Sequence, residues 1–172
     1  MQNVLYSVRK WVLVVQSGDL MFKGINTINI DVKGRMAMPA RYRACIESQA
    51  ASRMVVTIDT EDACLLLYDL SEWEVIEKKI AALPTFNKAT RRIQRLLIGH
   101  ATDVELDSQG RILLPAQLRQ YAKIDKKVTL IGQGNKFEIW SSDVWQQNCD
   151  TWLQEEAAGN GILPDELSGI SV

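Results

Sequence analysis

Histidine and cysteine are scarce in this chain, and their scarcity limits the metal and disulfide chemistry that it can support. The 172 residues contain a single histidine, His100, and three cysteines, Cys45, Cys64 and Cys149. No two cysteines have the Cys-x-x-Cys spacing of common zinc sites. Three distant cysteines fit reduced thiols in an intracellular protein better than a disulfide framework. We therefore expect no metal, no other cofactor and a cytoplasmic location.

Long apolar runs are also missing from the sequence. The run at residues 11–15 follows Arg9 and Lys10 and so imitates a signal peptide, but it has only five residues. The apolar core of a signal peptide needs about 7–15, and a membrane-spanning helix needs about 20. We expect no membrane association. Because a strand-like segment follows Met21 directly, we interpret residues 1–20 as a translated leader or a disordered extension, with Met21 as the natural start.

Sequence signatures of catalysis are lacking too. No serine or cysteine stands in a nucleophile motif that His100 could serve. No GxxxxGK[ST] phosphate-binding loop occurs, and the run Gly132-Gln133-Gly134 lacks the rest of a GxGxxG pattern. We therefore expect neither an enzyme nor a protein with a small-molecule substrate.

Charge of one sign does not dominate the chain, but the charges are unevenly distributed. The net charge is −1, and residues 150–172 contain five acidic residues and no lysine or arginine. The rest of the chain therefore carries +4. Binding to nucleic acid requires only a local basic face, so a mildly basic body with an acidic tail is compatible with a DNA partner.

What the sequence does contain is an internal duplication. The segment at residues 30–43 recurs in altered form at residues 106–119, an offset of 76 residues. Downstream the offset shortens to 72, where Trp73 corresponds to Trp145. Matched residue types at matched spacing are typical of a structural repeat. The shared positions are Asp31 and Asp107, Gly34 and Gly110, Arg35 and Arg111, Pro39 and Pro115, Ala40 and Ala116, and Arg43 and Arg119.

Each copy has the pattern of a small α+β unit that is rich in strands. Apolar and polar residues alternate at residues 28–33, which predicts a half-buried strand, and Gly34 then permits a tight turn. A second strand at residues 35–38, a helix that begins at Pro39, a hairpin and a closing helix complete the unit. Because one such unit would leave open sheet edges, we expect the two copies to close into one barrel about a pseudo-twofold axis, flanked by helices.

Particular residues are expected to start or end the remaining elements. Short polar side chains cap helix starts, whereas glycine ends helices and forms hairpin turns. A Ser71–Glu74 capping box is expected to start a helix whose apolar stripe runs from Trp73 to Leu83 and which ends before Pro84. A linker helix is expected to start at an Asn87 cap and to end at Gly99. Residues 132–134 are expected to connect hairpin strands at residues 128–131 and 137–140, and a helix at residues 142–155 follows.

The Asp-x-x-x-Arg pattern, with glycine just before the arginine, is the strongest functional signal. An arginine fork matches phosphate oxygens or a guanine edge, whereas the aspartate would hold that arginine or cap turn N–H groups. In one copy alone, an exposed turn salt bridge would be the simpler interpretation. Recurrence favours function, because a pseudo-twofold axis would place Arg35 and Arg111 on one face. The candidate DNA-binding residues are Asp31, Lys33, Arg35, Arg41, Arg43, Asp107 and Arg111.

The remaining basic residues and His100 have less defined roles, and for some of them several interpretations stay open. The first copy is the more basic one, since Gln109 and Gln117 stand in the second copy where the first has Lys33 and Arg41. His100 is expected to cap a helix or to pack. For the linker arginines, a solvated helix face, a second contact site and a subunit interface all remain possible; these arginines are Arg91, Arg92 and Arg95.

Taken together, these motifs resemble the MraZ family of bacterial transcription regulators, which contain two tandem SpoVT/AbrB-like domains. The resemblance covers most of the chain, from Met21 to about Trp152. It departs at Lys88, where the family often has proline. It rests on the two Asp-x-x-x-Arg motifs, on Cys64-Leu65-Leu66-Leu67-Tyr68 through Trp73, on Arg91-Arg92-Ile93-Gln94-Arg95 with Gly99-His100-Ala101, and on the run from Gly132 to Trp140.

The resemblance implies a swapped-hairpin barrel and a division of the chain into domains. The implied parts are a SpoVT/AbrB-like domain at residues 25–72, a helical linker at 73–100, a second such domain at 101–144, and a C-terminal helix with an acidic tail at 145–172. It also implies a ring-shaped homo-oligomer that binds tandem direct repeats in the promoter of the division and cell-wall gene cluster, at the nucleoid. Two other interpretations stay open, namely a ring-forming protein-interaction scaffold and an AbrB-type antitoxin.

Overall fold

The computed structural model describes residues 22–48 and 53–159. The proposed leader, the start at Met21 and the tail beyond Gly159 lie outside these residues. Within them the chain forms eight strands and five helices. In chain order these are β1 (Phe22–Asn29), β2 (Arg35–Ala37), α1 (Ala40–Glu47), β3 (Arg53–Ile58), β4 (Cys64–Asp69), α2 (Leu70–Ala81), α3 (Lys88–His100), β5 (Thr102–Glu105), β6 (Arg111–Leu113), α4 (Ala116–Tyr121), β7 (Lys127–Gly134), β8 (Lys136–Ser141) and α5 (Ser142–Ala157).

The strands form one large antiparallel sheet and one short ribbon. The large sheet has six strands in the order β1-β7-β8-β4-β3-β5, and the ribbon consists of β2 and β6. The first strand of each repeat leaves its own hairpin and pairs with that of the other repeat. Thus β1 pairs with β7, and β5 pairs with β3. The fold is therefore mixed α+β and rich in strands, as the sequence predicts.

Strand register demonstrates the pseudo-twofold relationship between the repeats. Met36 pairs with Ile112, which lies 76 residues later in the chain. Leu66 pairs with Glu138, which lies 72 residues later. In both places a residue faces its own counterpart in the other repeat, which is what a twofold axis between antiparallel strands requires. Both offsets inferred from the sequence thus reappear in the pairing of the strands.

The closed barrel expected from the sequence is not found among the described strands. β1 and β5 are the outer strands of the large sheet, and they do not pair with each other. The ribbon strands are three residues long and pair with each other, so they are too short to join both edges of the sheet. A single bridge between Ile30 and Met36 links the end of β1 to the ribbon.

The main hydrophobic core lies between the ribbon and one face of the large sheet. From the ribbon side, Met36, Met38, Ile112 and Leu114 are completely buried. Complete burial of such side chains contributes about 1.5–3 kcal/mol each. Packing therefore fixes the inner side of the ribbon, and the turns at its ends are held in defined positions. Their partners include Met54, Val56, Leu65 and Leu67 of the sheet, Ile46 of α1 and Leu118 of α4.

A second cluster covers the opposite face of the sheet. Val55 and Leu66 alternate along their strands with the residues of the main core, so their side chains point to the other side. They pack against Trp73 of α2 and Leu97 of α3. Helices α2 and α3 therefore lie across the sheet from the ribbon.

Several expected boundaries differ from those of the structure. Asp69, rather than Ser71, caps α2, because its Oδ1 accepts from both the N–H and the hydroxyl of Ser71. Helix α2 ends at Ala81, so Leu83 lies outside it and is 43% exposed. Helix α3 has the expected Asn87 cap but continues one residue past Gly99.

Two expected roles of proline and glycine are also corrected. Pro39 is the N-cap of α1 rather than its first residue, and Pro115 has the same place before α4. Gly132 and Gly134 lie within β7 rather than in the hairpin turn. A Cβ atom at Gly132 would lie 2.5 Å from the backbone nitrogen of Lys23. The close approach of β1, and not a turn, therefore requires glycine at position 132.

Candidate functional site

The first Asp-x-x-x-Arg motif forms a tight turn that Asp31 organises. Its Oδ1 atom accepts hydrogen bonds from the backbone N–H groups of Lys33 (2.9 Å) and Arg35 (3.0 Å). The N–H of Gly34 donates to the carbonyl of Asp31 at 2.9 Å. Gly34 has a φ of +86°, in the left-handed region that favours glycine. The turn therefore depends on aspartate at its start and on glycine just before the arginine.

The second motif repeats this turn with nearly the same distances. Asp107 Oδ1 accepts from the backbone N–H groups of Gln109 and Arg111, both at 2.9 Å. Gly110 has a φ of +71°, and its N–H donates to the carbonyl of Asp107 at 2.8 Å. The two copies thus share their local geometry and not only their residue types.

Each aspartate also holds the side chain of its arginine. Arg35 donates through Nε to Asp31 Oδ2 at 2.7 Å. Arg111 donates through Nε to Asp107 Oδ2 at 2.8 Å, and its Nη2 lies 2.8 Å from the same oxygen. These four side chains are between 25% and 34% exposed. The arginines are therefore fixed by their partners but remain accessible to a ligand.

The two turns lie at opposite ends of the short ribbon, and their side chains meet across it. Arg35 pairs with Leu113 and Arg111 pairs with Ala37 in the register of β2 and β6. Arg111 Nη1 lies 3.9 Å from Asp31 Oδ2, so a contact crosses between the repeats. The structure therefore brings together Asp31, Arg35, Asp107 and Arg111 in one cluster.

Hydrogen bonds lower the pKa values of both aspartates. The side chain of Arg111, followed by its backbone N–H, lowers the pKa of Asp107 to about 2. The backbone N–H of Arg35, followed by its side chain, lowers the pKa of Asp31. Donors stabilise the ionised form of a carboxyl group, so both aspartates are negatively charged at neutral pH. Each arginine is therefore held by a charged partner.

The tips of the turns differ in chemistry. In the first turn, Val32 is fully exposed and Lys33 is exposed beside it. In the second turn the corresponding residues are Ser108 and Gln109, which are also exposed. The first turn therefore presents a cation and an apolar side chain where the second presents two neutral polar groups.

The remaining candidates of the first repeat lie on α1. Arg41 is exposed, donates to Asn26 Oδ1 at 3.1 Å and lies over the ring of Tyr42 at 4.6 Å from its centroid. Arg43 donates through Nε to the carbonyl of Met38 at 2.7 Å. It also lies against Gly110, where a Cβ atom would be 2.6 Å from Arg43 Nε. Arg43 therefore contacts the turn of the other repeat.

Arg119 has the matching position in the second repeat and is absent from the residues selected from the sequence. It donates through Nε to the carbonyl of Leu114 at 3.1 Å. A Cβ atom at Gly34 would lie 2.7 Å from Arg119 Nε. The available signal was the 76-residue offset, which carries Arg43 to Arg119.

The linker arginines lie apart from this cluster. Arg91, Arg92 and Arg95 belong to α3, which packs on the face of the sheet opposite the ribbon. Arg91 donates to the carbonyl of Thr85 at 2.7 Å. His100, at the end of the same helix, has its Nδ1 atom 2.8 Å from the carbonyl of Leu96, in agreement with a capping role.

Metal-binding and membrane-spanning features do not occur in the described part of the chain. Within residues 22–48 and 53–159, no group of three or more histidine, cysteine or acidic side chains could hold a metal ion. No helix there is long and apolar enough to cross a membrane. The three cysteines are unpaired, and burial raises the pKa of the Cys64 thiol well above its usual range.

Comparison with known proteins finds one family model that matches the chain twice. The family model described as "MraZ protein, putative antitoxin-like" matches residues 21–96 and again residues 97–159. Proteins named Transcriptional regulator MraZ are similar over most of the chain. Those from Legionella pneumophila (strain Philadelphia 1) and Coxiella burnetii (strain RSA 493) are 55% and 54% identical over 152 residues, which is 88% of this chain and all of theirs.

A further relative extends this agreement to another genus. The Transcriptional regulator MraZ of Pseudomonas syringae pv. syringae is 54% identical over 147 residues, which is 86% of this chain and 97% of its own. Such identity over nearly full length, together with a family model that matches both repeats, shows the relationship. The chain belongs to the MraZ family, whose similar members are named transcriptional regulators.

Proposed function

We propose that this chain regulates transcription by binding double-stranded DNA in a sequence-specific manner, with the β2–β6 ribbon and its two turns as the reading surface. The observation that carries the proposal is the adjacency of Arg35 and Arg111, each held by its own aspartate. The major groove of B-DNA admits a two-stranded ribbon. Two neighbouring arginine forks on such a ribbon can donate to guanine edges or to phosphate oxygens.

The residues of the cluster have different proposed roles. Arg35 is the first candidate for a base contact, because exposed Lys33 makes its turn the more basic. Lys33 would contact a phosphate, and Arg111 would contact the neighbouring base or phosphate. Asp31 and Asp107 would orient their arginines rather than touch DNA, since phosphate repels a carboxylate. Arg41, exposed on α1, would extend the basic surface.

The active form is proposed to be a ring of several copies on tandem direct repeats. The two aspartates offset the charge of the two arginines, so one reading surface would bind weakly. In a ring, several reading surfaces meet equally spaced repeats, and each later contact forms at a high effective concentration. The proposed surface for self-association is that of α3, where Ile93 and Ile98 are only partly buried in the single chain.

The proposed operator lies in the promoter of the division and cell-wall gene cluster. This target follows from the resemblance to the family and agrees with the names of the relatives as transcriptional regulators. Such a regulator would act at the nucleoid, in the cytoplasm. A titration with the upstream DNA of that cluster therefore tests the proposed operator.

The decisive measurement is fluorescence anisotropy of the assembled protein with upstream DNA and with shuffled DNA. We expect the wild type to prefer upstream DNA and to bind less tightly as salt rises, because counterions are released. Arg35→Ala should weaken binding by about 1–3 kcal/mol per lost base contact. Lys79→Ala, which removes an exposed cation from α2 on the opposite face of the sheet, is the matched control and should bind like the wild type.

The outcome that contradicts the proposal is equally specific. Native mass spectrometry should first show that Arg35→Ala assembles like the wild type. If this assembled variant then binds upstream DNA with unchanged affinity, or if the wild type binds shuffled DNA equally well, the ribbon does not read sequence. An interaction scaffold that does not touch DNA would give no salt-dependent titration at all.

An AbrB-type antitoxin is the second candidate, and the description of the family as antitoxin-like favours it. An antitoxin would bind a toxin protein through a surface of its own, with or without DNA binding. Expression from the native locus followed by affinity purification would recover that partner in a fixed ratio. Recovery of the homo-oligomer alone, with preference for upstream DNA, would argue for the regulator.

A further inference from the structure

We infer that Arg43 and Arg119 are positioning residues, and that each fixes the reading turn of the opposite repeat. This inference rests on the proposed function for what the turns read. It revises the role expected for Arg43 from the sequence, which was a direct DNA contact. It also assigns a role to Arg119, for which the sequence suggested none.

The contact of Arg43 with the second turn has three parts. The Nε of Arg43 donates to the carbonyl of Met38 at 2.7 Å, which fixes the plane of the guanidinium group. That group lies against Gly110, where an added Cβ atom would come within 2.6 Å of Nε. The backbone N–H of Met38 donates to the carbonyl of Gly110 at 2.9 Å. Met38 therefore bonds to Arg43 through its carbonyl group and to Gly110 of the second turn through its N–H group.

The other repeat contains the same arrangement. The Nε of Arg119 donates to the carbonyl of Leu114 at 3.1 Å, and the guanidinium group lies within 3 Å of the place where a Cβ atom at Gly34 would be. The N–H of Leu114 donates to the carbonyl of Gly34 at 3.0 Å. Both copies of the repeat thus form the same cross-repeat contact. In each copy the Nε atom is bonded to a carbonyl of its own repeat and the guanidinium group packs on the glycine of the other, so Nε is not free to meet phosphate.

The consequence is that each turn is formed by one repeat and held by the other. Asp107 and Arg111 belong to the second repeat, yet the arginine against their turn is Arg43 of the first. Loss of Arg43 should therefore loosen the second turn and leave the first turn in place. Direct contact of Arg43 with DNA would instead give an effect that is independent of either turn.

A double-mutant cycle on DNA affinity separates these mechanisms. We expect Arg43→Ala to weaken binding by about tenfold, within the range for residues that share a contact. In an Arg111→Ala background this effect should fall to less than about twofold, whereas in an Arg35→Ala background it should persist. Arg119→Ala should show the reverse pattern. Arg41→Ala, two residues away on the same helix, is the control. Its effect on DNA affinity should be the same in the wild-type, Arg35→Ala and Arg111→Ala backgrounds.

Two further measurements guard against loss of the fold. Arg43→Lys keeps the charge and most of the aliphatic stem but loses the planar group and its Nε–H, so it should bind as poorly as Arg43→Ala. Amide hydrogen exchange of the free protein should accelerate at Met38 in Arg43→Ala and at Leu114 in Arg119→Ala, where each N–H donates to the glycine of the other turn. In Arg41→Ala, exchange at both amides should be unchanged.

Three results would overturn the inference. They are wild-type affinity of Arg43→Lys, equal coupling of Arg43→Ala to both reading arginines, and unchanged exchange at Met38 in Arg43→Ala. Failure of the proposed function would look different, since every variant would then lack sequence-specific binding. In that case the exchange rates of the DNA-free protein still decide whether the two arginines hold the turns.

Discussion

Arg111 Nη1 lies 3.9 Å from Asp31 Oδ2, although the two residues belong to different repeats. Asp31 thus faces two guanidinium groups, its own Arg35 at 2.7 Å and that of the other repeat. The matching contact is absent from the described part of the chain, since no guanidinium nitrogen of Arg35 lies within 4.0 Å of a carboxylate oxygen of Asp107. The cluster is therefore not perfectly symmetric, and removal of Asp31 should disturb both arginines.

Replacement of the aspartates by asparagine tests whether they orient the arginines. Asn keeps an oxygen that can accept the turn N–H groups, but it loses the negative charge that holds the guanidinium group. Simple electrostatics predicts tighter DNA binding, because each change makes the reading surface more positive. Our assignment predicts weaker binding for both Asp31→Asn and Asp107→Asn, with the larger loss for Asp31→Asn. Anisotropy titrations at one salt concentration would measure the difference.

The sign of this change is what decides the matter. Tighter binding by either variant would mean that the arginines find their targets without their aspartates. Glu72→Gln removes one negative charge from α2, on the far side of the sheet, and serves as the control. It should leave DNA affinity close to that of the wild type, because charges separated by more than a screening length of about 10 Å interact little.

Acid should weaken the fold through the same carboxyl groups. Hydrogen bonds from Arg111 lower the pKa of Asp107 from its ordinary 3.8 to about 2 in the folded protein. A lowered pKa in the folded protein means that folding favours the ionised carboxylate. The ionised carboxylate therefore stabilises the fold fully at pH values above the pKa of the unfolded state. We expect that effect to be lost as the pH falls from about 4 to about 2. Urea unfolding across this range should show a shallower pH dependence for Asp107→Asn than for the wild type, and equal slopes would contradict the assignment.

The turns were the part of this molecule that local sequence could predict best. Asp31, Gly34 and Arg35 act on each other within five residues, so their spacing alone indicates the turn and its hydrogen bonds. The repeat offset then predicted the second turn. The twofold relationship between repeats was predictable for the same reason, because it requires only that similar units pair in a similar way.

Features that depend on distant residues could not be predicted in this way. The contact of Arg43 with Gly110 joins positions 67 residues apart, and a basic residue beside a basic motif suggested a DNA contact instead. The sequence predicts a turn at Gly132, because it does not reveal that β1 approaches the Cα atom of this residue. The expected barrel does not close, because β2 and β6 are only three residues long. The glycine turns before these strands and the prolines after them set this length.

A capping error has a different cause, since both candidates were suitable. Asp69 and Ser71 are each good helix N-caps, and the sequence pattern placed Ser71 at the required distance before Glu74. In the structure Asp69 Oδ1 accepts from both donor groups of Ser71. The carboxylate is the stronger acceptor, so the helix begins two residues earlier than the pattern indicates.

Substitution of the turn glycines should affect stability and DNA binding together. Gly110→Ala forces an L side chain into a backbone with a φ of +71° and brings its Cβ to 2.6 Å from Arg43 Nε. The left-handed conformation alone costs about 1–2 kcal/mol, and displacement of Arg43 should add to this cost. We expect urea unfolding to show that the free energy of unfolding falls by at least this amount. DNA affinity should fall as well, because the second turn moves.

Gly99→Ala provides the control for this substitution. Gly99 is the penultimate residue of α3, and a Cβ atom added there would have no atom within 4 Å among the described residues outside its chain neighbours and the backbone of its own helix. Alanine is a better helix former than glycine, so this variant should be as stable as the wild type or more stable. If Gly110→Ala and Gly99→Ala had the same stability, the strain assigned to the second turn would be absent. Without that strain, the close packing of Arg43 on Gly110 could not hold the turn in place.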